Sequence, residues 1–323
     1  MGYKVSVIVP IYQVEDYIRD SIESISRQTF KDYEVVLVND GTTDDSVAIA
    51  EEVLKEHRID YMVINQKNMG LAAARNSGIR NSSGEWIVCI DSDDFIREDF
   101  LKILYDGCLE NNAKVSIANF QMVKNNKIHL TRKHTYNNIV FNKEDILYKF
   151  LIRNIKIIAP GMLVNKKLIV SNNLWYDEKI RFSEDLHLIW RLLFTVNRVV
   201  YNPSPIYNYL QRENSIMTSS NVKKILTGYY GFSSLVEELK TLNNDDRYYN
   251  YEIVKFILPR WVFGALRSAA KMLSLKNFIK LAEEMDYKKH MRELILFPDF
   301  KTRVLSELLV FNWKLFYIIN NKF

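Results

Sequence analysis

The chain has 323 residues, of which 48% are apolar, 13% aromatic and 26% charged. That balance excludes a disordered or collagen-like chain and leaves enough length for one large core or two smaller ones. The net charge of +5 is uneven: residues 220–323 hold 17 Lys and Arg against 11 Asp and Glu, which leaves 27 against 28 for residues 1–219. No basic block alternates with a stacking platform, so nucleic acid is not expected as a partner, and the basic last third suits an anionic membrane face better.

The N-terminal MGYKVSVIVP enters its apolar run without a basic region and long apolar stretch, so no secretory leader is expected. No run reaches the roughly 18 to 20 apolar residues of a membrane span. The expected location is the cytoplasm. Cys89 and Cys108 are too few for a disulfide framework and lie in apolar segments, which predicts buried thiols.

In chain order, Val5–Pro10 is a continuous apolar run of the kind that forms a parallel strand covered on both faces. Glu15–Gln28 carries Ile18, Ile22 and Ile25 at helical spacing. Glu34–Val38 is a second buried strand, followed by the turn Asn39-Asp40-Gly41 and a helix that Asp44 can cap. Tyr61–Ile64 predicts a strand, Gly70–Asn81 a helix with an alanine-rich face, and Trp86–Ile90 a strand ending at Asp91-Ser92-Asp93-Asp94. A helix near Glu98–Glu110 and a strand at Val115–Ala118 follow. Repeated βα units predict an α/β fold with a mostly parallel, Rossmann-like sheet and helices on both faces. Ligands bind such sheets beyond the carboxyl ends of the strands, where Asn39-Asp40 and Asp91–Asp94 should both lie.

Residues 120–141 are polar and read as a hairpin or surface loop, and Lys143–Ile152 as a helix. Ser183-Glu184-Asp185 opens a helix with Leu186, Ile189, Trp190 and Leu193 on one face; Ser183 suits a cap, and acids in a first turn suit the helix dipole. From about residue 221 the pattern is helical, with a boundary near Ser219–Asn221. Residues 1–220 are thus expected to form one domain, with halves 1–119 and 120–220, and residues 221–323 a helical region.

No G-x-G-x-x-G follows a strand, no G-x-x-x-x-G-K-[ST] occurs, and no Cys/His set has zinc spacing. What remains is the acidic cluster at a strand end. Asp91 and Asp93 can approach one hard cation from a bent loop, and magnesium or manganese in such a site keeps positions for phosphate oxygens. The same four residues also suit a polar turn that caps the next helix.

The order VSVIVPIYQVEDYIRDSIESISRQTF, EVVLVNDGTTDDS, NMGLAAARNSGI and IVCIDSDD resembles the family 2 glycosyltransferases. Two later stretches, FSEDLHLIWRLL at Phe182–Leu193 and YNYLQRENSIM at Tyr207–Met217, look like the family's E-D and Y-x-R-x-x-S elements. The resemblance implies a GT-A-type fold and an inverting transfer of sugar from a nucleotide-diphosphate donor, UDP-linked by expectation. It further implies a glycan acceptor, lipid-linked by expectation, in cell-envelope polysaccharide synthesis.

Carried over residue by residue, the resemblance puts Pro10 and Tyr12 beside the nucleoside and Asp40 on the base. Asn39 stands where many members have a second Asp. Asn68, Gly70 and Arg75 would line the base and donor sugar, with a surface salt bridge as the plainer reading of Arg75. Asp91 and Asp93 match the D-x-D pair that holds Mn2+ or Mg2+, with Ser92 between them at the donor. Asp185 is the candidate general base and Glu184 its neighbour. Arg212 and Ser215 are candidates for phosphate contact. Trp190 reads as core and His187 as local structure. Residues 301–323 read either as a helical cap on the core or as an amphipathic surface for the bilayer. Self-association through the helical third stays open, as do two rival readings, a catalytically silent partner subunit and a sugar nucleotidyltransferase. The second lacks its expected Gly-rich loop, since IYQVEDYIRD follows the first strand.

Overall fold

A computed structural model describes residues 2–124, 127–131, 140–211, 222–242 and 248–322. Two compact units emerge. The first comprises Met1–Lys143, Lys156–Glu178 and Leu188–Glu213, and the second Glu144–Ile155, Lys179–His187 and Asn214–Phe323.

The first unit is a mixed sheet flanked by helices. Its strands are β1 (Val5–Ile11), β2 (Tyr33–Asn39), β3 (Tyr61–Asn65), β4 (Trp86–Cys89), β5 (Phe95–Ile96), β6 (Val115–Lys124), β7 (Lys127–Thr131), β8 (Val140–Asn142), β9 (Met162–Asn165) and β10 (Arg198–Leu210). They run in the order β3-β2-β1-β4-β9-β6-β10-β5, with β7 on β6 and β8 on β10. The joins β3-β2, β2-β1 and β1-β4 are parallel, as the buried apolar runs predict. Beyond β4 the sheet turns mixed. The four-residue β9 is wedged antiparallel between β4 and β6, while β10 runs parallel to β6. Neither β9 nor β10 was expected from the sequence, and the strand expected at Val115–Ala118 extends to Lys124.

The first helices are α1 (Glu15–Ser26), α2 (Ser46–Glu56), α3 (Leu71–Asn81) and α4 (Phe100–Glu110). Alternation along β1 sorts the core. Val5, Val7, Val9 and Ile11 join Ile18, Ile22 and Ile25 of α1 in one cluster with residues of α2 and α4. Ile8 faces α3, where Gly78 lets the helix sit down on the sheet: a Cβ there would stand 2.3 Å from Ile8 Cγ2. Both cysteines are buried as expected, and burial pushes the Cys89 thiol up to about 11 and Cys108 up to about 12. Asp44 caps two helices at once, accepting from Glu15 N of α1 at 3.2 Å and from Ser46 N of α2 at 3.3 Å.

The chain also forms α5 (Lys143–Leu151), α6 (Lys166–Ser171) and α7 (Glu184–Thr195), and the second unit holds α8 (Val222–Leu242), α9 (Tyr248–Met272), α10 (Leu275–Glu284), α11 (Tyr287–Glu293), α12 (Phe300–Phe311) and α13 (Trp313–Lys322). Its core holds Phe232 stacked on Trp261 at 5.1 Å and Phe278 stacked on Phe316 at 6.5 Å. The boundary expected at Ser219–Asn221 lies outside the described residues. Of the last helices' apolar residues, Leu309 and Phe316 are buried, whereas Phe300, Val304, Phe311, Leu315 and Ile318 are exposed. Among the described residues no helix is long and apolar enough to cross a membrane.

Candidate active site

Strand order 3-2-1-4 places a topological switch between β1 and β4, where chain connections leave in opposite directions and open a crevice. Four loops leave the carboxyl ends of the parallel strands there. Ile11–Val14 follows β1, Asn39–Thr42 follows β2, Gln66–Gly70 follows β3 and Asp91–Asp94 follows β4.

Asp40 is buried and fixes the loop after β3. Its Oδ1 accepts from Gln66 Nε2 at 2.7 Å and Met69 N at 2.9 Å, and its Oδ2 from Gly70 N at 2.8 Å. Gly70, with φ 90°, makes the left-handed turn that aims its N–H at Asp40 and starts α3. Gly41 performs the matching service, because a Cβ there would stand 2.8 Å from Asn68 N. Asn39 is used inside the turn: its Oδ1 accepts from Thr42 N and its Nδ2 donates to Asn65 Oδ1, both at 2.9 Å. Pro10 is buried, while Tyr12 and Asn68 are exposed beside the crevice.

Arg75 is not the surface residue that one reading allowed. It is 2% exposed, lies on the inner face of α3, and donates from Nη2 to Asp91 Oδ1 at 2.6 Å. The Tyr176 ring lies 5.3 Å under its guanidinium. A buried arginine thus answers the first carboxylate of the acidic turn.

The four turn residues divide in a way the sequence did not show. Ser92 and Asp94 are buried, whereas Asp91 and Asp93 are partly exposed. Asp94 N donates to Asp91 O at 3.0 Å and closes the turn. The Asp94 carboxylate points inward to β10, accepting from Tyr207 Oη at 2.6 Å and Leu210 N at 2.7 Å. Burial, then the charges of Asp91 and Asp93, raise its pKa well above the usual carboxylate range. Asp94 therefore ties the turn to β10, a role beyond the helix-capping turn that the sequence suggested.

Glu184 and Asp185 occupy the first turn of α7 and are partly exposed; Asp185 Oδ1 accepts from Leu186 N at 2.8 Å. Ser183 has φ 65° and offers its carbonyl to His187 N at 3.1 Å. Trp190 is buried, and His187 is buried edge-on to Phe232 at 6.0 Å, as core and local-structure readings anticipate. Arg212 and Ser215 lie outside the described residues.

The Glycosyl transferase family 2 model matches residues 6–170. Glycosyltransferase GlyA of Streptococcus pneumoniae serotype 4 is 33% identical over 227 residues, which cover 66% of this chain and 31% of that protein. Uncharacterized glycosyltransferase EpsJ of Bacillus subtilis is 33% identical over 217 residues, covering 66% of this chain and 62% of that protein. The chain thus spans less than two thirds of either relative. Among solved structures, Staphylococcus aureus TarS 1-349 in complex with UDP-GlcNAc superposes with a TM-score of 0.74 at 21% identity, over 99% of this chain and 89% of that one. The mannosyltransferase PcManGT from Pyrobaculum calidifontis, in complex with GDP-Man and Mn2+, gives 0.59 at 15% identity, over 100% and 88%. At those identities the likeness is one of fold alone. With the family model covering half its length, and with the β1/β4 crevice built from the residues it matches, the chain belongs to glycosyl transferase family 2.

Proposed function

We propose that this chain transfers a sugar, with inversion, from a nucleotide-diphosphate donor of the UDP class to a glycan acceptor. The observation that carries the reading is that Asp40 and the Asp91–Asp94 turn both stand at the carboxyl ends of parallel strands, β2 and β4, with Arg75 paired to Asp91. In this reading residues 1–220 are the catalytic domain, with the donor held by residues 1–119 and the acceptor by 120–220. Tyr12 and the Asn68–Gly70 loop flank the nucleoside, and Asp40 serves it by holding that loop in place. Arg75 holds Asp91 in place beside the donor. Ser92 shapes the turn under the diphosphate, and Arg212 meets phosphate.

A divalent cation at the turn is part of this reading. Asp91 and Asp93 are partly exposed hard-oxygen donors at the end of β4, whereas Asp94 is buried and turned toward β10. Mn2+ or Mg2+ held by Asp93 and Asp91 would neutralise the departing diphosphate. Asp185 takes the proton from the acceptor hydroxyl as it attacks, with Glu184 beside it. TarS and PcManGT are described as complexes with nucleotide sugars, the second with Mn2+, which supports the donor class and the metal.

The acceptor is a lipid-linked envelope glycan in this proposal. Supporting it are the exposed Phe300, Val304 and Phe311, which recur on one side of α12, and Leu315 and Ile318 on α13, with Lys301 and Lys314 exposed among them. Apolar residues mixed with lysines suit an anionic bilayer surface.

Release of nucleoside diphosphate from a panel of UDP-, GDP- and dTDP-sugars tests the reading. One donor should be hydrolysed slowly with manganese, and both chelator and Asp93→Ala should abolish it. Asp185→Asn should lower acceptor-dependent transfer by about 10^3-fold while UDP binding persists. No release and no UDP binding would reject the reading in favour of a silent subunit.

A further inference from the structure

The second unit carries a row of arginines in which one buried guanidinium, that of Arg260, has donors with no acceptor among the described residues. Arg260, Gly264 and Arg267 recur on one face of α9 at spacings of four and three. Both guanidiniums reach the same ring, Arg260 at 5.5 Å and Arg267 at 6.0 Å from the centroid of Phe263. Between them the missing side chain of Gly264 is the place where a third guanidinium lies. A Cβ there would stand 2.7 Å from Arg153 Nη2. Arg153 follows α5 in left-handed conformation, φ 58°, a geometry that a non-glycine residue keeps only when its surroundings hold it.

In Arg260, Nε and Nη1 are buried donors that nothing meets among the described residues, and the guanidinium is wedged between Phe263 and Phe297, 5.7 Å from the second. Burial, then the Arg153 charge, push it down to about 9; Arg267 adds to the fall and Asp299 opposes it. Arg267 donates from Nε to Asn320 Oδ1 at 3.0 Å, a neutral acceptor. Asp299 is itself engaged, accepting from Thr302 N at 2.8 Å as the cap of α12. Buried N–H donors without acceptors are costly, and guanidinium forks match phosphate oxygens in geometry and charge.

We propose that Arg153, Arg260 and Arg267 form a binding site for a phosphate or diphosphate group. The site stands independently of the glycosyl-transfer reading, since none of its residues belongs to the crevice between β1 and β4. Beside it is a cavity of about 280 Å3 lined by Tyr148, Leu151, Ile253, Phe256, Leu296 and Pro298, with Glu252 and Lys255 ion-paired at its wall. Leu296 and Pro298 flank the Phe297 that Arg260 covers, Phe256 is one helical turn before Arg260, and Leu151 is two residues before Arg153. An apolar chain attached to the phosphate therefore has room next to its head. The chemistry shared by the possible ligands is the phosphoanion, and its source is either a lipid headgroup or a soluble phosphate.

The test uses the whole chain in chelator, so that the acidic turn has no cation through which to hold an anion. Isothermal titration with inorganic pyrophosphate probes the soluble source. Co-sedimentation with phosphatidylcholine vesicles, with and without phosphatidic acid, probes the lipid source. Arg260→Gln and Arg153→Gln are compared with wild type; the second alters an exposed side chain and guards against a misfolded first variant. The expected result is wild-type binding to one or both probes that falls about tenfold in each folded variant. Loss confined to pyrophosphate assigns a soluble ligand, and loss confined to phosphatidic acid a lipid. No binding by wild type to either probe, or full binding by the folded variants, overturns the proposal. Donor hydrolysis with manganese restored should be unchanged in both variants, so failure here is distinct from failure of the transferase reading.

Discussion

The acidic turn of the first unit and the arginine row of the second are both concentrated charges, and they are held in opposite ways. At the turn, charges are answered from within: Arg75 covers Asp91, and Tyr207 with Leu210 N covers Asp94. In the row, the buried donors of Arg260 find no acceptor among the described residues, and the nearest charges are mostly of its own sign. A site answered internally has its geometry before the ligand arrives, which is what positioning for chemistry requires. A site answered incompletely is relieved by its ligand, which is what suits binding and anchoring.

Removing one charge from each tests that contrast most severely. Arg75→Met leaves Asp91 facing a buried apolar wall and should cost about 3 to 5 kcal/mol in urea unfolding. Overpacking comes next. Gly78→Ala drives a methyl into Ile8 and should cost about 1 to 3 kcal/mol, whereas Gly264→Ala meets only the end of a flexible arginine and should gain up to about 1 kcal/mol from helix propensity. Equal effects of the two alanines would blur the distinction between the units. Tyr207→Phe removes a hydrogen bond to a buried carboxylate and should cost about 1.5 to 3 kcal/mol, read as a shift in denaturation midpoint. In the row the sign reverses: Arg260→Met takes out an unmet buried charge and should leave stability unchanged or raise it by about 1 kcal/mol.

The smallest expected effect is a pH dependence at Asp44. Burial raises its pKa, but the Ser46 and Thr42 hydroxyls and the Glu15 and Ser46 amides outweigh that and lower it below the ordinary value. Its contribution is therefore present above about pH 4 and is lost as pH falls through the lowered folded value. Wild type should exceed Asp44→Asn in urea midpoint at neutral pH, and the gap should close as pH falls below the ordinary carboxylate range.

The parallel half of the fold was legible because β1, β2 and β4 are continuous apolar runs with turns at fixed offsets. β9 was not, since four residues carry no period, and β10 was hidden by Pro203 and Pro205, which break a strand pattern and coincide with its register shifts. In the site, Asp40 and Asp91–Asp94 could be placed from strand ends alone. What they touch could not. Arg75 meets Asp91 only because α3 crosses back over β1 and β2, and Tyr207 meets Asp94 from 113 residues away through the pairing of β10 with β5. The one available hint was alternation along YNYL, which puts Tyr207 and Tyr209 on the same side of a strand. The arginine row had no sequence signal beyond helical spacing, because its third member comes from a different element.

The wedged position of β9 has a consequence for how the chain is made. On the ribosome, β4 and β6 emerge with their facing edges bare, and the strand that fills the gap follows β4 by roughly 75 residues, about 4 to 15 s at ordinary translation speed. During that interval the apolar nascent sheet offers an open edge to any other extended chain nearby. Slow-codon pauses before residue 165 should therefore lower the soluble yield, and faster elongation over residues 90–165 should raise it.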